Sequence, residues 1–286
     1  MIRLFTDTSA NLPVELLREH NITIVPFSYT VNGEPADYNT IDGFNGKAFY
    51  DAMRQGAFVK TSMINIVTFV LAFEEALKNG DDVMYIGMSG GISGAANSAA
   101  IAVKELKESY PERKITSIDT YAASLGEGIQ VLRAVELINQ GVAFEDIERI
   151  ILEERETICQ YFTVDDLEYL KRGGRISNVT AFVGSLLHIK PILTGDEQGR
   201  IVICGKARGR KQAIITLADK YDRLAKDKNA TVAIAHADDE GAADELISEL
   251  KKRGFSGKTI VECYEPVTGS HVGPGTLAFF FAGTHK

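Results

Sequence analysis

The stretch Val83-Met-Tyr-Ile-Gly-Met-Ser-Gly-Gly-Ile-Ser-Gly-Ala-Ala-Asn-Ser-Ala-Ala-Ile-Ala-Val103 decides the fold. Residues 83–88 show no polar alternation, the pattern of a strand buried on both faces. The glycines and serines of residues 89–94 end that strand, and the run from Ala95 to Glu108 then reads as a helix. Strand, glycine-rich loop and helix make one unit of a parallel sheet with helices on its faces. The unit recurs outward. Ile2 to Thr6 is a strand, and Asn11 with Pro13 opens a helix to Arg18. Ile22 to Val31 is extended and stops at the turn Asn32-Gly33. A helix near Lys47 to Gln55, a loop at Lys60-Thr61-Ser62 and a helix from Asn65 to Lys78 follow. Ile115 to Ile118 is another strand, followed by Asp119-Thr-Tyr-Ala-Ala-Ser124 and a helix through Asn139. Val131, Leu132, Val135 and Ile138 give that helix one apolar stripe.

The second half changes character. Residues 159–164 form a strand, and Lys171-Arg172-Gly173-Gly174-Arg175 breaks a short helix. Residues 192–194 and 200–205 flank a hairpin turn. Helices at 210–226 and 239–253 alternate with strands at 231–236 and 259–264, and Leu277 to Phe281 is a short buried strand. The pattern predicts an α/β chain: an N-terminal parallel-sheet α/β domain over residues 1–157 and a C-terminal α+β domain over 158–286. No Pro/Gly/Ser-rich linker separates them, so close packing is expected.

Composition narrows the function classes. The 286 residues are 45% hydrophobic and 24% charged, an ordinary globular mix. Lys+Arg is 31 against Asp+Glu 39, a formal net charge of −8, which argues against broad nucleic-acid binding. Cys159, Cys204 and Cys263 lie too far apart for a disulfide framework or a zinc set. No apolar run approaches the ~20 residues of a membrane span. The start, MIRLFTDTSANLP, lacks a signal-peptide layout, so a reduced, cytoplasmic setting is expected.

Several segments can carry chemistry. The loop Ser89-Gly-Gly-Ile-Ser93-Gly94 opens a helix, where backbone N–H groups and hydroxyls can meet an anion; a tight turn that simply needs glycines is the plainer alternative. It matches neither the P-loop nor the dinucleotide pattern. Ser93 also sits where a nucleophile elbow would, although Gly91-Ile-Ser93-Gly-Ala95 lacks the second glycine. His271 and Asp119 are conceivable partners that no spacing supports, so a serine hydrolase or acyltransferase using Ser93 remains the alternative. Thr61 and Ser62 are helix-entrance hydroxyls, either caps or ligand donors at the carboxyl end of the sheet. His271, among the glycines of Thr268–Gly275, can donate to a carboxylate or phosphate, or serve a structural loop. The run His236-Ala-Asp-Asp-Glu240 mimics a metal site, but acids suit a helix start and no second ligand half exists, so no metal is expected. Asp165, Asp166 and Glu168 read likewise as a first helical turn. Lys206, Arg208, Arg210 and Lys211 form a basic run, either solvated or a dock for an acidic partner.

Taken in order, TDTSANLP, KTS, MSGGISGAANSA, DTYAASLGEG, VDDLEYLKRGGRIS, KPIL, KARGRKQA and GSHVGPGTLAFFF resemble the DegV family, from about Thr6 to Phe281. The resemblance implies an N-terminal α/β and a C-terminal α+β domain with a lipid pocket between them. It implies a fatty-acid-binding carrier, not an enzyme, with no cofactor. Some members present the bound acid to a separate fatty acid kinase for acyl-phosphate formation in phospholipid synthesis. The implied partners are a long-chain fatty acid and a fatty acid kinase, with no nucleic acid and at most transient membrane-surface contact. Residue by residue, the carboxylate-binding hydroxyls fall on Thr61 and Ser93, the family histidine on His271, and a head-group arginine on Arg172. Arg208, Arg210 and Lys211 fall on the kinase-docking segment. Chemistry agrees: a buried carboxylate must be hydrogen-bonded, and Thr61, Ser62, Ser93, Gly94 and His271 offer donors. Each buried CH₂ contributes about 0.8 kcal/mol, so a long tail gains on the order of 10 kcal/mol before ordering costs. Two departures stand out. Met63-Ile64-Asn65 replaces the usual Gln-Pro-Ser, and the SGGISG loop carries one extra glycine.

Overall fold

The computed structural model describes residues 1–36, 43–176 and 188–284. The first half runs β1 (Ile2–Asp7), α1 (Val14–Glu19), β2 (Thr23–Val25), β3 (Ser28–Val31), β4 (Glu34–Ala36), α2 (Gly46–Arg54), β5 (Val59–Ser62), α3 (Ile66–Lys78), β6 (Asp82–Gly87), α4 (Ala95–Ser109), β7 (Ile115–Asp119), α5 (Leu125–Asn139) and α6 (Phe144–Glu154). The second half runs β8 (Ile158–Thr163), α7 (Glu168–Arg172), β9 (Ile189–Gly195), β10 (Ile201–Arg208), α8 (Arg210–Leu224), β11 (Val232–His236), α9 (Glu240–Lys252), β12 (Thr259–Cys263), α10 (Pro266–Val272) and β13 (Leu277–Ala282).

The apolar strand β6 lies inside a parallel sheet of order β2-β1-β6-β7. Its residues alternate between two cores. Val83 and Tyr85 join Phe69 and Phe73 of α3, while Met84 and Ile86 join Leu125 and Val131 of α5. Both faces are covered, which explains the missing polar alternation. A second sheet, β10-β9-β8-β13-β11-β12, is antiparallel except for the β11–β12 pair. Phe279 and Phe281 of β13 pack against Tyr221 of α8 on one face. Ala278 and Phe280 face the other way and share one core with Leu125, Val131 and Ala134 of α5. Helix α5 is therefore the layer between the sheets. Gly126 lets it approach, because a Cβ there would lie 2.8 Å from the Phe280 ring. The sheets separate at residue 157, but this core runs across it.

Three local readings change, and one helix that the sequence reading passed over is added. Lys60-Thr61-Ser62 is not a loop but part of β5, which pairs with β3 in a small antiparallel sheet of order β4-β3-β5. The extended stretch 22–31 splits into β2 and β3, which belong to different sheets. Helix α6 fills residues before 157 with its own stripe, Phe144, Ile147 and Ile151. The glycine-rich segment around His271 is helical: Glu265 caps α10 by accepting from Val267 N at 2.5 Å and Thr268 N at 2.6 Å, and Pro266 occupies the first turn. The last residue of the VDDLEYLKRGGRIS motif, Ser177, lies outside the described residues.

Candidate functional site

A cavity opens between the halves, and the space between its walls, mouth included, is about 800 Å³. The first half supplies Phe27, Met63, Met88, Ile92, Ala122 and Ala123; the second supplies Phe162, Leu170, Ile201, Val267, Val272 and Phe280. The two alanines reach it because Tyr121 and Ser124, at φ +53° and +55°, bend the backbone on either side of them.

The polar groups gather at one side. Thr61 Oγ1 and His271 Nε2 are 2.9 Å apart, joining β5 to the last turn of α10. Burial, with the Arg175 charge as a lesser cause, pushes the His271 imidazole down to about 4, so it is neutral at physiological pH. Gly173 lies against the ring; a Cβ added there would collide with Nδ1. Arg175 lines the cavity beside them. Its Nε donates to Ile92 O at 3.2 Å and its Nη1 to Gly173 O at 2.5 Å. It makes no ion pair with a carboxylate among the described residues, and burial lowers its pKa. Thr268, beside the Glu265 carboxyl, adds a buried hydroxyl on the wall. Ser93 is buried on the wall at the head of α4; its Oγ accepts from Ala95 N at 3.2 Å, and no acceptor among the described residues takes its proton.

The glycine-rich loop is not an open anion cradle. Gly90 N donates to Asp119 Oδ2, Gly91 N to Ser89 Oγ, and Ile92 N and Ser93 N to Ser89 O. Ser89 is itself committed, donating to Gly199 O at 3.0 Å. The second glycine has a packing reason: a Cβ on Gly91 would collide with the β9–β10 turn, lying 2.7 Å from Gly199 C and 2.8 Å from Arg200 N. Gly90 and Gly91 serve turn and packing, and of the loop's two hydroxyls Ser93 Oγ is the one on the cavity wall.

The remaining expected residues are distributed unevenly. Ser62 is exposed on β5, and its neighbour Thr61 is the one that lines the cavity. Gly94 is the α4 N-cap, held against Met63: a Cβ there would lie 2.6 Å from the sulfur. Arg172 lies in an adjoining cleft, its guanidinium 5.0 Å from the Tyr169 ring centroid, so Arg175 rather than Arg172 reaches the cavity. Arg210 is not a free cation, because its Nη2 pairs with Asp239 at 2.6 Å and ties α8 to α9. Arg208 and Lys211 are exposed. Asp239 caps α9 and Asp166 accepts from Glu168 N, as helix starts require. No cluster among the described residues could hold a metal ion.

The elements needed for a nucleophilic triad do not converge. His271 is bonded to Thr61, not Ser93, and no carboxylate among the described residues bonds to His271. What the fold and site define is a class: an α/β protein whose two larger sheets enclose a largely apolar cavity with a polar, cation-bearing side. The chain belongs to the DegV family, whose model, described as covering uncharacterised proteins, matches residues 1–284. A DegV domain-containing protein of Clostridium perfringens is 36% identical, with 99% of this chain and 98% of that protein covered. A solved structure from Thermus thermophilus, described as showing fatty acid binding of a DegV family protein, has 33% identity and a TM-score of 0.86, covering 98% of this chain and 99% of that one. DegV of Bacillus subtilis, described as a fatty acid binding protein, has 33% identity and a TM-score of 0.85, covering 99% of each chain. Among the described residues, no helix is long and apolar enough to cross a membrane.

Proposed function

We propose that this chain binds a long-chain fatty acid and presents its carboxyl group to a fatty acid kinase in the cytoplasm, without catalysis of its own. The observation that carries the binding step is the cation-bearing polar side of a largely apolar cavity: among the described residues Arg175 has no carboxylate partner beside the Thr61–His271 pair. A fatty acid offers the missing anion and a tail for the walls. In the ligand-ready tautomer, His271 Nε2–H donates to Thr61 Oγ1, which frees the Thr61 proton for the carboxylate. Ser93 O–H and the Gly94 N–H at the head of α4 are the further donors, and the Arg175 guanidinium balances the charge. The kinase step is supported by the exposed cations Arg208 and Lys211, which suit an acidic partner surface. Arg210 is left out of that surface because Asp239 holds it.

The test uses delipidated protein titrated with palmitate, then incubated with ATP and a fatty acid kinase. Saturable binding, with acyl phosphate formed only when the kinase is added, supports the reading. Ester hydrolysis well above buffer, lost in Ser93→Ala, would place the chain among enzymes instead.

A further inference from the structure

We infer that the cavity selects a fatty acid bearing a hydroxyl group along its tail, with Gln160 Oε1 as the acceptor for that hydroxyl. The inference rests on the fatty-acid reading above and deepens it by naming the class of acid. Polar side chains on the cavity wall are few. Thr61, Ser93, Thr268, Arg175 and His271 gather on the head-group side, and Tyr264 is buried with its hydroxyl beside Ser124. Among the described residues Gln160 is the polar side chain left over, and it shares its wall with Phe162, Ile201 and Phe280.

Local structure holds this amide in place. Residues of β8 alternate: Cys159 and Tyr161 enter the core under α8, so Gln160 and Phe162 face the cavity. Thr194 Oγ1 donates to Gln160 O at 2.8 Å, which pins the strand. Gln160 Nε2 donates to Tyr121 O at 2.7 Å, on the bend before α5. Gly195 leaves room for the side chain, because a Cβ there would lie 2.5 Å from Nε2. A carbonyl only accepts, so the amide nitrogen must be the atom that faces Tyr121 O. Oε1 accepts from no group among the described residues. The Tyr121 bond thus gives the nitrogen a structural role and leaves the oxygen without one. A plain alkyl tail that strips water from this acceptor loses affinity, whereas a hydroxyl on the tail satisfies it.

The neighbours of Gln160 place that hydroxyl away from the carboxylate. A Cβ on Gly199 would meet both Tyr121 and Ser89, so the bend that holds Gln160 lies beside the loop leading to Ser93. Gln160 therefore stands one loop away from the head group and faces carbons in the body of the tail.

The experiment titrates delipidated wild type and Gln160→Leu with stearate, with stearate hydroxylated at carbon 10 or carbon 12, and with the two matching keto acids. Wild type should bind one of the hydroxy acids about tenfold tighter than stearate. The matching keto acid, which has no proton to donate, should show no such gain. Gln160→Leu should bind stearate at least as well as wild type and lose the preference for the hydroxy acid. Comparing ligands within one protein cancels any loosening from the lost Tyr121 bond, and the keto acids supply the test in wild type if the variant does not fold. Three results each overturn the inference and leave the carrier reading in place: stearate bound as tightly as both hydroxy acids, a keto acid bound as tightly as its preferred hydroxy counterpart, or a preference that survives in Gln160→Leu. If none of these acids binds, both readings fall.

Discussion

On the proposed reading Thr61, Ser93, His271 and Arg175 share one task, and each can be tested separately. Ser93→Ala and Thr61→Val should each weaken palmitate binding by about 1.5–3 kcal/mol, the worth of a hydrogen bond to a charged group. Arg175→Ala should cost a similar amount for palmitate and almost nothing for methyl palmitate, which carries no charge; equal losses for both ligands in a titration would remove Arg175 from the head-group site. Thr61, Ser93 and His271 were legible because they sit in short motifs at element ends. Arg175 was not, because the glycines before it mark a helix end and nothing in the sequence shows that the chain then turns its guanidinium to Ile92 O. His271 also makes stability depend on pH. Its folded pKa of about 4 lies below the ordinary 6.5, so as pH falls through that window the unfolded chain takes up a proton that the folded chain refuses. Its contribution is present above pH 6.5 and lost on the way down to 4, on the order of 3 kcal/mol. Glu265, raised to about 7 by burial, works in the opposite direction, losing stability as pH rises from 4.5. The measurement is therefore a difference: urea melts of wild type and His271→Asn from pH 7 to 4, where only wild type should show the His271 slope.

Element boundaries were easier to read than element partners. The strand β6 and its loop and helix stand where the sequence places them, since burial on two faces leaves a strong pattern. The small sheet was hidden because β5 is short and half exposed, and only its pairing with β3 shows it to be a strand. Helix α10 was hidden because its glycine and histidine resemble a loop, while its start depends on the Glu265 cap. Gly91 shows how a loop glycine can serve a distant element. Gly91→Ala should destabilise by about 1–3 kcal/mol and perturb the cavity, because the collision is with backbone of the β9–β10 turn rather than a yielding side chain. Thermal unfolding checks this, and a neutral effect would mean that the turn moves freely. At the end of β1, Ser9 Oγ lies 2.5 Å from Asp7 Oδ1 and 2.6 Å from Glu127 Oε2. One hydroxyl proton cannot serve both contacts, so one carboxyl carries a proton. Burial and then the Asp7 charge push Glu127 well above its usual range, which makes it the neutral acid that donates to Ser9. Glu127→Gln keeps a donor and should be tolerated, whereas Glu127→Ala should cost about 2–4 kcal/mol in chemical denaturation. Equal stability of the two variants would argue against the shared proton.

At the scale of the molecule, composition narrows function more than it identifies it. A net charge of −8 and scattered cysteines argue against whole classes, yet could not reveal that one core joins the two larger sheets through α5. That arrangement places the cavity at the junction, so its walls come from both halves and neither half encloses it alone. A ligand there ties the halves together and adds stability only to the folded chain. The central claim, a non-covalently held fatty acid, is tested most directly by native mass spectrometry of the protein as purified, followed by extraction into organic solvent. The expected result is a mass increment of one fatty acid per chain that leaves on extraction, reappears when palmitate is added, and is reduced in Arg175→Ala. An unmodified mass that palmitate cannot shift, or an increment that survives denaturation as an acyl adduct on Ser93, would contradict it.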